Sequence, residues 1–205
     1  MTPRAALDLG LAELGMSLPE EARAQLMRYV ALLEKWNRTY NLTAIDDPLR
    51  MVSHHLLDSL VVVPHLPMPG EARLADAGSG AGLPGIPLAV ARPQWRVVLA
   101  EVSEKKTAFL RQAALELGLR NVEVHQGRVE QWQPAQRFAV VISRAFAELA
   151  RFIAACRHLV APGGVLAAMK GAPPADLGSD CRLISLRVPQ LDAQRHLVLC
   201  PASSP

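Results

Sequence analysis

The stretch Ala75-Asp76-Ala77-Gly78-Ser79-Gly80-Ala81-Gly82-Leu83-Pro84-Gly85-Ile86-Pro87 decides the fold. An apolar lead-in, Arg73-Leu74-Ala75, runs into an acid and then four glycines within eight residues, Gly78 to Gly85. Leu88-Ala89-Val90-Ala91 follows and reads as helix. Strand, glycine turn and helix form the opening unit of a nucleotide-binding α/β fold. A dinucleotide turn is G-x-G-x-x-G, with a helix start that receives a pyrophosphate. Here the glycines alternate as G-x-G-x-G behind Asp76. That form suits a ligand without phosphate, such as S-adenosylmethionine, whose amino-acid end needs main-chain groups and a nearby carboxylate. Asp76, Gly78, Gly80 and Gly82 are therefore candidate cofactor-binding residues.

Working outward, seven short apolar runs read as strands: 73–77, 96–101, 122–126, 138–143, 164–169, 182–188 and 195–200. Helices fit between several of them, over 83–91, 103–117 and 147–159. This alternation predicts a mostly parallel seven-stranded sheet with helices on both faces, which with a terminal antiparallel hairpin is a Rossmann-like class I methyltransferase fold. Only six residues, Pro189 to Gln194, separate the last two strands. That is too short for a parallel crossover, so the sheet should end in an antiparallel hairpin. Upstream, residues 4–16 and 20–45 read as helices, with Ser17 as N-cap of the second. A third helix is expected from about Asp47-Pro48 to Val63. The prolines and glycine of 64–70 then form a linker. The expected division is a helical extension over 1–70 and a cofactor-binding domain over 71–205.

Composition sets bounds on these readings. The 205 residues are half hydrophobic, with no uninterrupted apolar run long enough to span a membrane. The N-terminus lacks the apolar core of a signal peptide. A cytoplasmic protein with no membrane partner is expected, and a monomer is the simplest assembly. Cys156, Cys181 and Cys200 have no metal-ligand spacing, so reduced thiols are expected. His54-His55 lack a third ligand, and no metal is expected. The net charge of +3 is uneven: residues 1–70 carry six Lys/Arg against eight Asp/Glu, and the remainder sixteen against eleven. A mildly basic second part tolerates a polyanionic partner.

Chemistry belongs at the strand ends. Glu101 closes the second strand, 23 residues after Gly78, where a carboxylate can accept both ribose hydroxyls of an adenosine. The loop Gly127-Arg128-Val129-Glu130 either flanks an adenine or is a plain turn into Trp132. Ser143-Arg144-Ala145-Phe146 closes the fourth strand and lacks the Asn/Asp-Pro-Pro-aromatic sequence typical of amine methylation. Arg144 can orient a carboxylate, a phosphate or a guanine edge. Phe146 can stack on an unpaired base or pack as core. Lys170, Arg195 and His196 stand at the same rim. Arg38, Lys105 and Lys106 are either phosphate contacts or solvated surface.

Together these residues resemble one family. The match runs through Trp36-Asn37, Tyr40-Asn41-Leu42-Thr43, His55-Leu56-Leu57-Asp58-Ser59 and the glycine turn with Leu83-Pro84-Gly85-Ile86-Pro87. It continues through Ser103 to Lys106, Phe109-Leu110, Ser143 to Phe146, Lys170-Gly171 and Arg195-His196-Leu197-Val198. The sequence is similar over about residues 25–200 to the bacterial small-subunit ribosomal RNA methyltransferase G family, also called glucose-inhibited division protein B. The resemblance implies methyl transfer from S-adenosylmethionine to N7 of a guanine in a 16S rRNA hairpin loop. It implies the small ribosomal subunit or an assembly intermediate as partner. Carried over by motif, Gly78, Leu83, Val129, Glu130 and Arg144 bind the cofactor. Guanine N7 has a lone pair and no proton, so no general base is needed, and Arg144 is the expected catalytic residue, acting by orientation. Glu101 stands where relatives often have Asp. The segment Gly171–Asp180 is short, so the helix expected between strands five and six should be missing. Two other classes compete: an NAD-dependent oxidoreductase on the same sheet, and a non-catalytic RNA-binding or assembly factor that retains the fold.

Overall fold

The computed structural model describes residues 1–144, 146 and 148–202. Its sheet holds β1 (Ala72–Ala77), β2 (Trp95–Glu101), β3 (Val122–Gln126), β4 (Phe138–Ser143), β5 (Val160–Lys170), β6 (Arg182–Leu186) and β7 (Arg195–Pro201). The strand order is β3-β2-β1-β4-β5-β7-β6. The first five strands pair in parallel, and β7 runs antiparallel to both β5 and β6. The terminal hairpin is thus as the short connection required. Residues 171–181 join β5 to β6 without a helix and are almost wholly exposed.

The helices are α1 (Pro3–Glu13), α2 (Glu20–Tyr40), α3 (Pro48–Met51), α4 (Asp58–Leu60), α5 (Gly85–Ala91), α6 (Glu104–Glu116) and α7 (Leu149–Cys156), with a π-helical turn over Val52–Leu57 between α3 and α4. Ser17 does not cap α2; Pro19 holds that position, without a side-chain hydrogen bond. The same helix stops at Tyr40 because Asn41 turns left-handed, φ 49°, at its C-cap. Asp47 caps α3 by accepting from the Leu49 and Arg50 N–H groups. The helix expected from Ala147 starts outside the described residues, as does Ala145. Among the described residues no helix is long and apolar enough to cross a membrane.

Alternation along the strands sorts the core into two layers. Leu74, Val97, Leu99, Val140 and Ile142 face α5, α6 and the helices of the first 70 residues, all in one apolar cluster. Ala75, Ala77, Val98, Ala100 and Val141 face α7. The first 70 residues therefore pack directly on the sheet's helical layer, with α2 against α5 and α6. Tyr29, fully buried on α2, donates its hydroxyl to the Ala81 carbonyl in the glycine turn at 2.7 Å.

The cysteines require a correction. Cys181 and Cys200 form a disulfide across the β6–β7 pair, and only Cys156, which is buried, is free. Arg182 lies opposite Leu199, so the antiparallel register brings Cys181 beside Cys200, 4.2 Å apart at Cα. Their separation of 19 residues gives no hint of this, because the pairing belongs to the sheet.

Candidate active site

Gly78, Gly80 and Gly82 adopt φ of 70°, 58° and 90°, values that side chains with a Cβ rarely take. The turn they make brings the Gly80 N–H to the Glu101 carboxylate at 2.9 Å. The other Glu101 oxygen accepts from the Val102 and Ser103 N–H groups at 3.0 and 2.9 Å. Beside this knot lies a cleft of about 150 Å³ lined by Gly78, Glu101, Gly127, Val129, Glu130 and Phe146, among others. Gly78, Ala100, Gly127, Val129 and Phe146 form its apolar walls, and the buried Glu101 carboxylate, with Arg128 and Glu130, its polar side. These features fit an uncharged nucleoside better than a phosphate, which would face two carboxylates, Glu101 and Glu130, against the single cation Arg128.

The start of α5 gives the same answer. Asp76 is fully buried, and its carboxylate accepts from the Gly85 N–H at 2.9 Å. A Cβ on Gly85 would collide with Leu99 and lie 2.8 Å from Asp76 Oδ2, so only glycine permits this approach. The N-terminus of α5 is thus occupied by the protein's own acid, not open to a pyrophosphate. Burial pushes the Asp76 carboxyl up to about 7.

Across the end of β4 lies a second cavity, about 360 Å³, of opposite character. Arg144 Nη1 donates to Asp58 Oδ2 at 3.0 Å and to the His54 carbonyl at 3.1 Å. Arg195 Nε donates to Asp58 Oδ1 at 2.8 Å. Lys170 Nζ donates to the Phe146 carbonyl at 2.6 Å on the same rim, with burial lowering its pKa. His55 is buried and shares a hydrogen bond of 2.9 Å with the Thr43 hydroxyl through Nε2. Burial, aided by the Arg144 charge, lowers its pKa to about 4, which keeps it neutral.

The model of the rRNA small subunit methyltransferase G family, GidB, matches residues 22–182. The chain belongs to that family. A ribosomal RNA small subunit methyltransferase G of Methylobacillus flagellatus is 50% identical over 201 residues, covering 96% of this chain and 97% of its own. That of Chromobacterium violaceum is 51% identical over 201 residues, covering 95% of each. A SAM-dependent methyltransferase of Aquifex aeolicus superposes with a TM-score of 0.57 at 19% identity, over 79% of this chain and 97% of that one. TrmN of Thermus thermophilus follows with 0.55 at 15%, over 73% and 53%. At such identities the superpositions speak for the fold alone, that of S-adenosylmethionine-dependent methyltransferases.

Within this methyltransferase G chain the expected residues fall into three groups. Gly78, Glu101, Val129 and Glu130 line the cleft, and the Gly80 N–H binds Glu101. Asp76, Gly82 and Leu83 are not among the residues that line the cleft. Leu83 is core, Gly82 packs against Ile86 and Leu110, and Asp76 holds the turn instead of facing the cleft. Arg144, Lys170 and Arg195 meet at the charged cavity. Two expectations for the RNA side need correction. His196 alternates inward from Arg195 on β7 and is buried. The Phe146 ring lies on the cleft side, 5.4 Å from the Phe152 ring, so it is a wall of the cleft and not part of the charged cavity's lining.

Arg38 is exposed at the end of α2 and paired with Glu34 at 2.6 Å, while Lys105 and Lys106 occupy the first turn of α6 and line neither cavity. From sequence, Asp58 stands only inside the His55–Ser59 family motif, with no role attached, and Tyr29 carries no role at all. The signal for Asp58 was present: an acid enclosed by Leu56, Leu57 and Leu60 on an apolar helix. Among the described residues no group of His, Cys, Asp or Glu is placed to hold a metal ion.

Proposed function

We propose that this protein transfers a methyl group from S-adenosylmethionine to N7 of one guanine in a hairpin loop of 16S rRNA, within the small ribosomal subunit or its assembly intermediate. The observation that carries the reading is the end of β4, where Phe146 lines the cleft beside Glu101 and Arg144, two residues away, lines the cationic cavity. A methyl donor on one side and an RNA acceptor on the other would meet there. When bound, S-adenosylmethionine supplies an electrophilic methyl on a sulfonium. The acceptor nitrogen carries no proton, so no residue has to remove one. That agrees with His55, buried, neutral and engaged by Thr43.

The residues' work is then orientation and charge. Glu101 accepts ribose hydroxyls, with Gly78, Val129 and Phe146 around the nucleoside, and Asp76 acts indirectly by fixing the turn. Arg144 orients the acceptor. Lys170 and Arg195 meet RNA phosphates at the cavity, while Arg38, Lys105 and Lys106 meet them further out. In this reading residues 1–70 bring Asp58 and Arg38 to the acceptor side, and 71–205 supply the cofactor cleft together with the other acceptor-side cations, in a monomer working in the cytoplasm.

The deciding experiment is tritiated methyl transfer from S-adenosylmethionine to small-subunit particles lacking the modification, with N7-methylguanosine mapped by borohydride–aniline cleavage. Label at a single loop guanine is expected. Label at another atom, or none in rRNA while the cofactor still binds in a calorimeter, would overturn the assignment.

A further inference from the structure

Asp58 is 2% exposed, yet it bonds two arginines that are 29% and 25% exposed. A buried carboxylate needs strong compensation, and one arginine with good geometry can supply it. Here the acid sits at the back and both guanidiniums stand between it and solvent. The arrangement spans the molecule: Arg144 is 86 residues away in sequence and Arg195 137. Asp58 also follows directly on the π-helical turn, whose His54 carbonyl takes a second hydrogen bond from Arg144. Such turns are costly and collect at functional sites.

The cations outnumber the acids at this cavity. Arg144, Arg195 and Lys170 line it with Asp58, and Glu148 lies within electrostatic reach of Lys170. Among the described residues, Nη2 of Arg144 and Nη2 of Arg195 donate to no protein acceptor, since the bonds they make use Nη1 and Nε. Two guanidiniums held on the two oxygens of one carboxylate bring further N–H donors that can serve the oxygens of a phosphate. They do not suit the reacting nitrogen itself, because a donor on guanine N7 would occupy the lone pair that must attack the methyl.

We propose that Asp58 is a positioning residue, which holds Arg144 and Arg195 as a two-guanidinium clamp on the backbone phosphate of the acceptor nucleotide. The proposal rests on the rRNA reading above. The test compares wild type, Asp58→Asn, Arg195→Gln and the double variant on modification-lacking small-subunit particles, with cofactor affinity measured separately by calorimetry.

Asp58→Asn should lower kcat/KM for the particles about 100-fold, the scale of a misplaced reactant, and leave the cofactor Kd unchanged. Arg195→Gln should raise KM and reduce the log–log salt slope of RNA affinity by about 0.7, one single-strand phosphate contact. The double variant should be no worse than Asp58→Asn alone. Additive losses, or a loss of cofactor affinity in step with rRNA activity, would mark Asp58 as merely structural and overturn the clamp. If Asp58→Asn does not fold, Arg195→Gln decides: a wild-type KM and salt slope overturn the proposal. Wild type that labels no rRNA defeats the functional reading itself, whereas labelled wild type with a fully active Asp58→Asn defeats only the clamp.

Discussion

The cleft beside Glu101 and the cavity beside Asp58 flank the same strand end but are built from different materials. In the cleft, main-chain N–H groups and small residues are gathered around one carboxylate, and all of its turn comes from a continuous stretch of chain. In the cavity, charged side chains are gathered around another carboxylate, and its parts come from α4, β4, β5 and β7. A main-chain site advertises itself in sequence, because backbone geometry demands glycine at fixed spacing. A side-chain site assembled by the fold has no such spacing. The two kinds of site also answer differently to mutation, since removing a side chain spares main-chain contacts but dismantles an ion cluster.

The largest separation between the two sides should come from Arg144→Ala. Under the proposed mechanism turnover falls about 100- to 1000-fold, the usual cost of losing one charge-aimed donor, while calorimetric cofactor affinity stays close to wild type. Equal losses in both would erase the distinction between cleft and cavity. The converse variant, Glu101→Gln, should weaken cofactor binding about 10- to 100-fold, as for hydrogen bonds to a charged group. At saturating cofactor its kcat should stay near wild type; a collapse of kcat would make Glu101 part of the acceptor side as well.

The smallest effect concerns Asp76, a buried acid with no cation bonded to it, in contrast to Asp58. Its folded pKa, about 7, lies above the ordinary 3.8. The folded protein therefore holds more protons than the unfolded chain between those values, and this residue's contribution to stability falls as pH rises from about 4 to 7. Asp76→Asn should lack that decline. Its melting temperature relative to wild type should rise over this window by about 2–4 °C for each 1 kcal/mol involved, then level off above pH 7. A constant offset across the window would show that Asp76 does not titrate there.

What could be read from sequence follows the same division. Strand ends came within a few residues of the structure, and β3 and β4 at their bounds, because period-two burial and turn residues are local signals. The first acid of the turn was legible as a participant but not as a buried support, since an aspartate before glycines looks alike whether it faces a ligand or a helix start. His196 misled because polarity suggested a surface, while strand alternation from Arg195 turned it inward. Asp58 is legible as an acid among leucines within a family motif, but its partners appear only when α4 is laid across the ends of β4 and β7. The Cys181–Cys200 bond belongs to that same class of long-range facts.

The helix-free run from Gly171 to Cys181 offers an experimental handle. Almost all of it is exposed, no strand or helix of the sheet's two layers includes it, and it leaves the sheet one residue after Lys170. A photo-crosslinking amino acid at Ala172 would stand at the edge of the acceptor rim, next to Gly171 of the charged cavity's lining. Irradiation with bound particles would then mark which nucleotides pass over this edge, giving the orientation of the RNA on the protein directly.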